Sequence, residues 1–233
     1  MASVPPDYSQ EGQQGALFDE VQGQLPHASS IQEIPLRDGC LVYIPRWLQQ
    51  QDLPSTAALF QQLEQQVSWE QSDITLYGKQ IKIPRLNAWY GDPGCGYIYS
   101  GKYFEPLPWL PALLKIKQAA ETLLAPYLGA TRLNSALVNC YRHGQDSVAW
   151  HSDDEPELGT NPVVVSLSLG EHRVFQLRHK MDHKEKYQIL LQDGDLLMMY
   201  GKTQHYWQHQ IPKTRKQVGA RINITYRKVL LDI

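Results

Sequence analysis

Beyond residue 130 this chain is a series of short apolar runs, at 137–141, 163–169, 174–177, 187–191, 195–199 and 220–227, several of them separated by Gly, Asn or Asp. Runs of that length are too short to bury a helical face. As strands they must find partners far away in sequence. Many short strands punctuated by turns favour a sandwich or a jelly roll. No internal repeat suggests a solenoid or propeller.

One run carries more than a fold. In Arg221-Ile-Asn223-Ile-Thr225-Tyr-Arg227, polar and apolar residues alternate strictly. Period two puts Arg221, Asn223, Thr225 and Arg227 on one face and Ile222, Ile224 and Tyr226 on the other. A polar face with two Arg is either exposed to solvent or, inside a barrel, in need of anionic partners. Arg binds carboxylates through paired, charge-assisted hydrogen bonds, so a dicarboxylate would suit such a face. Leu137-Val-Asn139-Cys-Tyr141 alternates in the same way, with Asn139 and Tyr141 as further donors on one side.

His151-Ser-Asp153 and His209 supply two imidazoles and a carboxylate. Iron(II) oxygenases use that donor set on one face of the metal and leave the rest open. In extended backbone His151 and Asp153 point the same way. His209, just before Ile211-Pro212, is preferred over His205 as the third ligand. His143, His172, His179 and His183 lie in polar or basic surroundings and are given no metal role.

The first 35 residues hold five acids, no Lys or Arg, and many Gln, Ser, Pro and Gly, the composition of a disordered leader. Within it, Gln14, Leu17 and Phe18 form a short piece similar to the peptides that bind bacterial sliding clamps. Its start lacks the basic and apolar parts of a secretion signal, and no run is long enough to span a bilayer. Three scattered cysteines form no C-x-x-C pair and read as reduced thiols. An intracellular monomer is expected, cytoplasmic or nucleoid-associated in a bacterium and nuclear in a eukaryote. Residues 1–172 carry 10 Lys and Arg against 19 Asp and Glu, whereas residues 173–233 carry 12 against 5. A basic face can therefore exist on a chain of net charge −2. Between the leader and the strands, the sequence predicts a strand at 40–44, a helix after Ser55 with Leu59, Phe60, Leu63 and Val67 on one face, strand and turn material over 74–104, and a helix over 111–128 ended by Gly129.

Residues 84–228 resemble the AlkB family of Fe(II)/2-oxoglutarate dioxygenases, and within it the branch of the animal DNA-repair homologues. The resemblance rests on Tyr90-Gly-Asp-Pro-Gly, Tyr97-Ile-Tyr-Ser-Gly, Asn139-Cys-Tyr-Arg, His151-Ser-Asp-Asp-Glu, Ser166-Leu-Ser-Leu-Gly, Gly194-Asp-Leu-Leu-Met-Met and Arg221-x-Asn-x-Thr-x-Arg, in that order. It implies an α+β, mainly β fold: a double-stranded β-helix (jelly-roll) core over 131–233, preceded by an N-terminal helix and hairpin lobe for nucleotide recognition over 36–130. It implies that His151, Asp153 and His209 hold Fe(II), and that Asn139, Tyr141, Arg221, Thr225 and Arg227 hold 2-oxoglutarate with Asn223 in support. O2 is the other co-substrate. The implied reaction oxidises N-methyl groups of bases such as 1-methyladenine and 3-methylcytosine in single- or double-stranded DNA, or in RNA, releasing formaldehyde, succinate and CO2.

The same resemblance places Tyr97 and Tyr99 against a flipped-out base, Tyr99 standing where Phe is more usual in this branch. Asp154 and Glu155 would lie beside the cationic ring. Tyr77, Gly78 and Lys79 match a hairpin tip that enters the duplex. Lys79, Lys82, Arg85, Arg178, Lys180 and the basic run 213–216 are candidate phosphate contacts. Other readings of these residues are the same chemistry on RNA or on a protein side chain, a catalytically silent nucleic-acid-binding module, and a zinc hydrolase. The intact ligand set argues against the silent module, and a hydrolase leaves the two-Arg face unexplained.

Overall fold

The structure, a computed structural model, describes residues 31–76, 79–99 and 102–230. In chain order the elements are β1 (Gln32–Leu36), β2 (Gly39–Ile44), α1 (Thr56–Gln66), β3 (Asp73–Leu76), β4 (Lys79–Lys82), β5 (Leu86–Gly91), β6 (Tyr97–Tyr99), β7 (Lys102–Phe104), α2 (Pro111–Leu128), β8 (Ser135–Tyr141), β9 (Val148–His151), β10 (Val164–Gly170), β11 (Arg173–His179), β12 (Lys186–Leu191), β13 (Leu196–Tyr200), α3 (Thr203–Tyr206), β14 (Trp207–Ile211) and β15 (Arg221–Arg227). A seven-stranded sheet runs β1-β2-β13-β10-β15-β8-β5, and a four-stranded sheet runs β12-β11-β14-β9. All of their pairings are antiparallel. β3–β4 and β6–β7 form two separate hairpins.

The two large sheets share one apolar core. Leu41, Val164, Leu197 and Met199 from the larger sheet cluster with Phe175, Leu177, Ile189 and Trp207 from the smaller. The larger sheet's other face packs on the helices. Leu59 and Leu63 of α1, and Leu113, Ile116, Ala120 and Leu124 of α2, recur at helical spacing and meet Val138, Val165, Ile222 and Ile224 there. Ser55 caps α1 by accepting the Ala58 N–H at 3.3 Å. Pro111 opens α2, and Gly129, at φ +56°, takes the left-handed turn that ends it.

β15 shows why this arrangement builds a site. All seven of its residues are buried. Ile222, Ile224 and Tyr226 join the helix-side core, and the Tyr226 hydroxyl donates to the Leu113 carbonyl at 2.8 Å. Its polar face is consequently turned into the space between the sheets. β15 sits between β10 and β8, with Asn223 opposite both Ser168 and Asn139. Polar side chains of three neighbouring strands thus share one interior wall.

The structure departs from the sequence reading in several places. β1 begins inside the segment read as a disordered leader up to residue 35 and ends one residue beyond it. Its Pro35 is accommodated because β1 is an edge strand, paired only with β2. β5, β9 and β14 were not assigned as strands by apolar runs, and each contains or adjoins polar site residues. Three strands from before residue 131, namely β1, β2 and β5, belong to the larger sheet, so the nucleotide lobe and the core share that sheet. The three cysteines are free thiols. No helix among the described residues is long and apolar enough to cross a membrane.

Candidate active site

His151 is the last residue of β9, and His209 sits directly across from it on β14. Two histidines opposite each other on adjacent strands point to the same side, and their ring centroids are 4.2 Å apart. After β9 the chain turns, and Asp153 brings its Oδ2 to 3.8 Å from His209 Nε2. One ligand atom from each of the three residues lies within 4.8 Å of the others. His205, the competing ligand, is exposed on α3 and outside this cluster.

The surroundings set the protonation of the three. His151 Nδ1 lies 2.9 Å from the Ala149 carbonyl, a contact that requires the proton on Nδ1 and leaves Nε2 as a lone pair. Burial pushes both imidazoles below the ordinary histidine range, His209 down to about 3, with the neighbouring His151 adding to the effect. Burial opposes the charge on Asp153. The Arg227 guanidinium and the two imidazoles outweigh it and hold the carboxyl down at about 2. Arg227 Nη2 donates to Asp153 Oδ1 at 2.7 Å, while Asp153 Oδ2 is buried without a hydrogen-bond partner. Near neutral pH the cluster therefore offers two neutral imidazoles and a carboxylate, the state a divalent metal requires.

Two chambers meet at this cluster. The first is walled by Ile83, Asn87, Trp89 and Glu155. The second is walled by Tyr141, Ser166, Phe175, Met199, Asn223 and Thr225. Both include Arg85, Leu137, Asn139, His151, Asp153 and Arg227. Phe175 stacks on His209 with centroids 5.2 Å apart, giving one ligand an apolar backing.

Around the second chamber the polar side chains are partly committed to each other. Asn223 Nδ2 donates to Ser166 Oγ at 2.8 Å and to the Leu167 carbonyl at 2.9 Å, and Thr225 Oγ1 donates to Asn223 Oδ1 at 3.2 Å. Asn223 therefore braces the wall. Arg221 is 1% exposed, lies 5.4 Å from the Tyr141 ring centre and donates through Nη2 to Ser168 Oγ at 2.8 Å. Its Nε and Nη1 are buried with no acceptor. Burial, partly offset by Tyr141, pulls its pKa down to about 10. A buried guanidinium with two unused donors calls for a carboxylate. The donor set fits a divalent metal beside a carboxylate-bearing ligand.

Other expected residues fall in different places. Glu155 lines the first chamber, but Asp154 does not; its carboxylate is on the surface, 2.9 Å from Lys180 Nζ. Arg85 is buried, donating through Nε to Asn139 Oδ1 at 2.8 Å and through Nη1 to the Ser147 carbonyl at 3.2 Å, so it is a wall residue between the chambers and not an outer phosphate contact. The run Arg178-His-Lys180 is not a free basic cluster either. Arg178 stacks on Trp150 at 4.4 Å, His179 is buried, and Lys180 is paired with Asp154. Lys82 is 3.5 Å from Asp73, while Lys213, Arg215 and Lys216 are exposed. Tyr77, Gly78 and the piece holding Gln14, Leu17 and Phe18 lie outside the described residues, as do the side chains of Lys79, Tyr97 and Tyr99. Sequence reasoning gave no site role to Asn87, Trp89 or Phe175. Trp207, His209 and Ile211 are buried at alternate positions of β14, a period-two signal that would have marked this strand.

The family model described as the 2OG-Fe(II) oxygenase superfamily matches residues 40–227. The chain is 40% identical over 190 residues to the Bos taurus protein named alpha-ketoglutarate-dependent dioxygenase alkB homolog 3, covering 78% of this chain and 64% of the relative. It is 35% identical over 184 residues to DNA oxidative demethylase ALKBH2 of Homo sapiens, covering 74% and 68%. The Arabidopsis thaliana protein of that name is 31% identical over 252 residues, covering 96% of this chain and 78% of the relative. The chain thus spans slightly less than two thirds of the alkB homolog 3 relative. The solved structure of OsALKBH1 superimposes with a TM-score of 0.56 at 19% identity, covering 84% of this chain and all of that one, and it shares the fold.

Proposed function

Because this chain belongs to the AlkB family of the 2OG-Fe(II) oxygenase superfamily, we propose that it removes methyl groups oxidatively from N-alkylated bases in DNA. The observation that carries the proposal is the pair of chambers meeting at one His-Asp-His cluster, the second of them walled by Tyr141, on whose ring the buried Arg221 packs with two donor nitrogens unused. His151, Asp153 and His209 would hold Fe(II). Arg221, Arg227, Asn139, Tyr141 and Thr225 would hold 2-oxoglutarate, braced by Asn223. Fe(II) and 2-oxoglutarate held there would, with O2, supply the oxidising equivalent for hydroxylating an N-methyl carbon; formaldehyde would then leave the base, and the co-substrate would end as succinate and CO2.

The chain's own residues supply position and charge. Arg227 keeps Asp153 ionised and fixes one of its oxygens. Ile83, Trp89 and Leu137 give the first chamber apolar walls that exclude water from the reacting carbon. Glu155 puts a carboxylate in that chamber, favouring the cationic rings of 1-methyladenine and 3-methylcytosine over their neutral parents. The base must leave the stack to reach the chamber, with Tyr97 and Tyr99 as stacking partners by family likeness. The further expectations are a monomer in an intracellular compartment, a duplex-entering tip at Tyr77, Gly78 and Lys79, and a clamp contact through Gln14, Leu17 and Phe18.

The test supplies Fe(II), 2-oxoglutarate and air to the protein with one methyl lesion in single-stranded DNA, duplex DNA or RNA, and weighs the base by mass spectrometry. Loss of the methyl group from DNA with formaldehyde release is expected. Faster turnover of RNA would transfer the substrate assignment, and no methyl loss in any arm would overturn the proposal.

A further inference from the structure

We infer that Gln204 is a positioning residue for the carboxylate ligand Asp153, an inference that rests on the metal reading above. The β9–β14 ladder stops at His151. The three residues that follow have no strand partner, yet Asp153 must hold its carboxylate in register with two histidines. Each of the three is tied, directly or through one side chain, to the segment 204–207. Ser152 Oγ donates to the Trp207 carbonyl at 2.9 Å. The Asp153 N–H donates to Gln204 Oε1 at 2.9 Å. Lys180 Nζ donates both to Asp154 Oδ2 at 2.9 Å and to the Gln204 carbonyl at 3.0 Å.

Gln204 is 1% exposed, and both ends of its amide are used. While Oε1 takes the Asp153 N–H, Nε2 donates to Met199 Sδ at 3.3 Å, and Met199 lines the second chamber. The amide can flip only by facing an N–H against an N–H, so its orientation is set. Its oxygen accepts a backbone N–H that has no strand partner. Gln204 also lies five residues before His209 on the turn that leads straight into β14. One segment therefore carries one imidazole ligand and fixes the backbone of the carboxylate ligand, which sets the spacing between them. Arg227 fixes the other end of Asp153 at its Oδ1. A neutral amide does this without placing a second negative charge against the buried carboxylate.

The test uses Co(II) as a redox-inert probe, with visible absorption reporting ligand number and geometry. The wild-type chain should bind one Co(II). Gln204→Met, similar in length but with no acceptor, is expected to bind about 10- to 100-fold more weakly, the usual cost of losing a partner that orients a metal ligand, and to show altered bands at saturation. Gln204→Glu keeps an oxygen facing the Asp153 N–H and should bind more tightly than Gln204→Met. Equal affinity and spectrum in Gln204→Met, or equal weakness in both variants, would overturn the inference. If Gln204→Met does not fold, Met199→Leu replaces it: freeing the amide nitrogen should change the Co(II) spectrum, and an unchanged spectrum and affinity would overturn the inference as well. A wild-type chain that binds no Co(II) would sink the metal reading itself, a result separable from failure of the Gln204 assignment alone.

Discussion

Replacing Arg221 by Met should separate the stability of the fold from capture of the co-substrate. Arg221 is 1% exposed, and burial is the main cause of the fall in its pKa from 12.5 to about 10. At ~1.36 kcal/mol per pKa unit, that fall corresponds to about 3 kcal/mol of destabilisation. The sign follows from a folded-state value below the unfolded one: the cost is fully present below about pH 10 and fades only at higher pH. Against it stands the Ser168 hydrogen bond, worth roughly 2 kcal/mol, the contact with Tyr141 being already contained in the shifted pKa. The ligand-free variant should therefore unfold within about 2 kcal/mol of wild type, in either direction. Ligand response should differ sharply. At about 100 times its dissociation constant, 2-oxoglutarate should add about 2.7 kcal/mol to the wild type, a rise of roughly 5–10 °C in Tm for a chain of this size. With Mn(II) present to block turnover, thermal unfolding should show that rise in wild type and almost none in Arg221→Met. An equal rise in both proteins would refute the assignment of Arg221 to the co-substrate.

The metal-free protein should lose stability as pH falls from about 6.5 toward 3, because the unfolded chain takes up protons that His151 and His209 resist when buried. Urea unfolding across that range should show the loss in wild type and a smaller loss in His209→Leu; identical slopes would remove the histidines as its cause. Glu155→Gln should lower kcat/KM on 1-methyladenine by about tenfold, the equivalent of about 1.4 kcal/mol of lost charge attraction, and should leave neutral 3-methylthymine nearly unchanged. Equal losses on the two lesions would show that Glu155 does not read ring charge. Tyr77→Ala should cost more activity on duplex than on single-stranded substrate, and equal losses would remove the duplex-entering role of the hairpin tip.

The legible parts of this molecule were those where a single strand or helix carries its own period. The alternation in β15 correctly separated the residues that pack on α2 from those that wall the site, and Pro111 at the start and Gly129 at the end correctly bounded α2. Less legible were the elements whose burial comes from partners. β1 contains Pro35 and mixed polar residues and is ordered by pairing along β2. β9 is only four residues long, and it exists because His151 and Val148 meet β14. Charge was a less direct guide. Arg85, Arg178 and Lys180 read as candidate phosphate contacts, and each is engaged within the protein by a particular partner (Asn139, Trp150 and Asp154) that no local pattern encodes. Gln204 had no local signal because Asp153, whose N–H it accepts, is brought to it by the sheet topology.

The most direct measurement of the central claim counts three products in one reaction. With a single 1-methyladenine in DNA, restored adenine, formaldehyde and succinate should appear in equal amounts, and all three should fall to background in His151→Ala while its far-UV circular dichroism stays that of wild type. Restored base without succinate, or undiminished products in His151→Ala, would contradict a reaction carried out at the His151–Asp153–His209 centre.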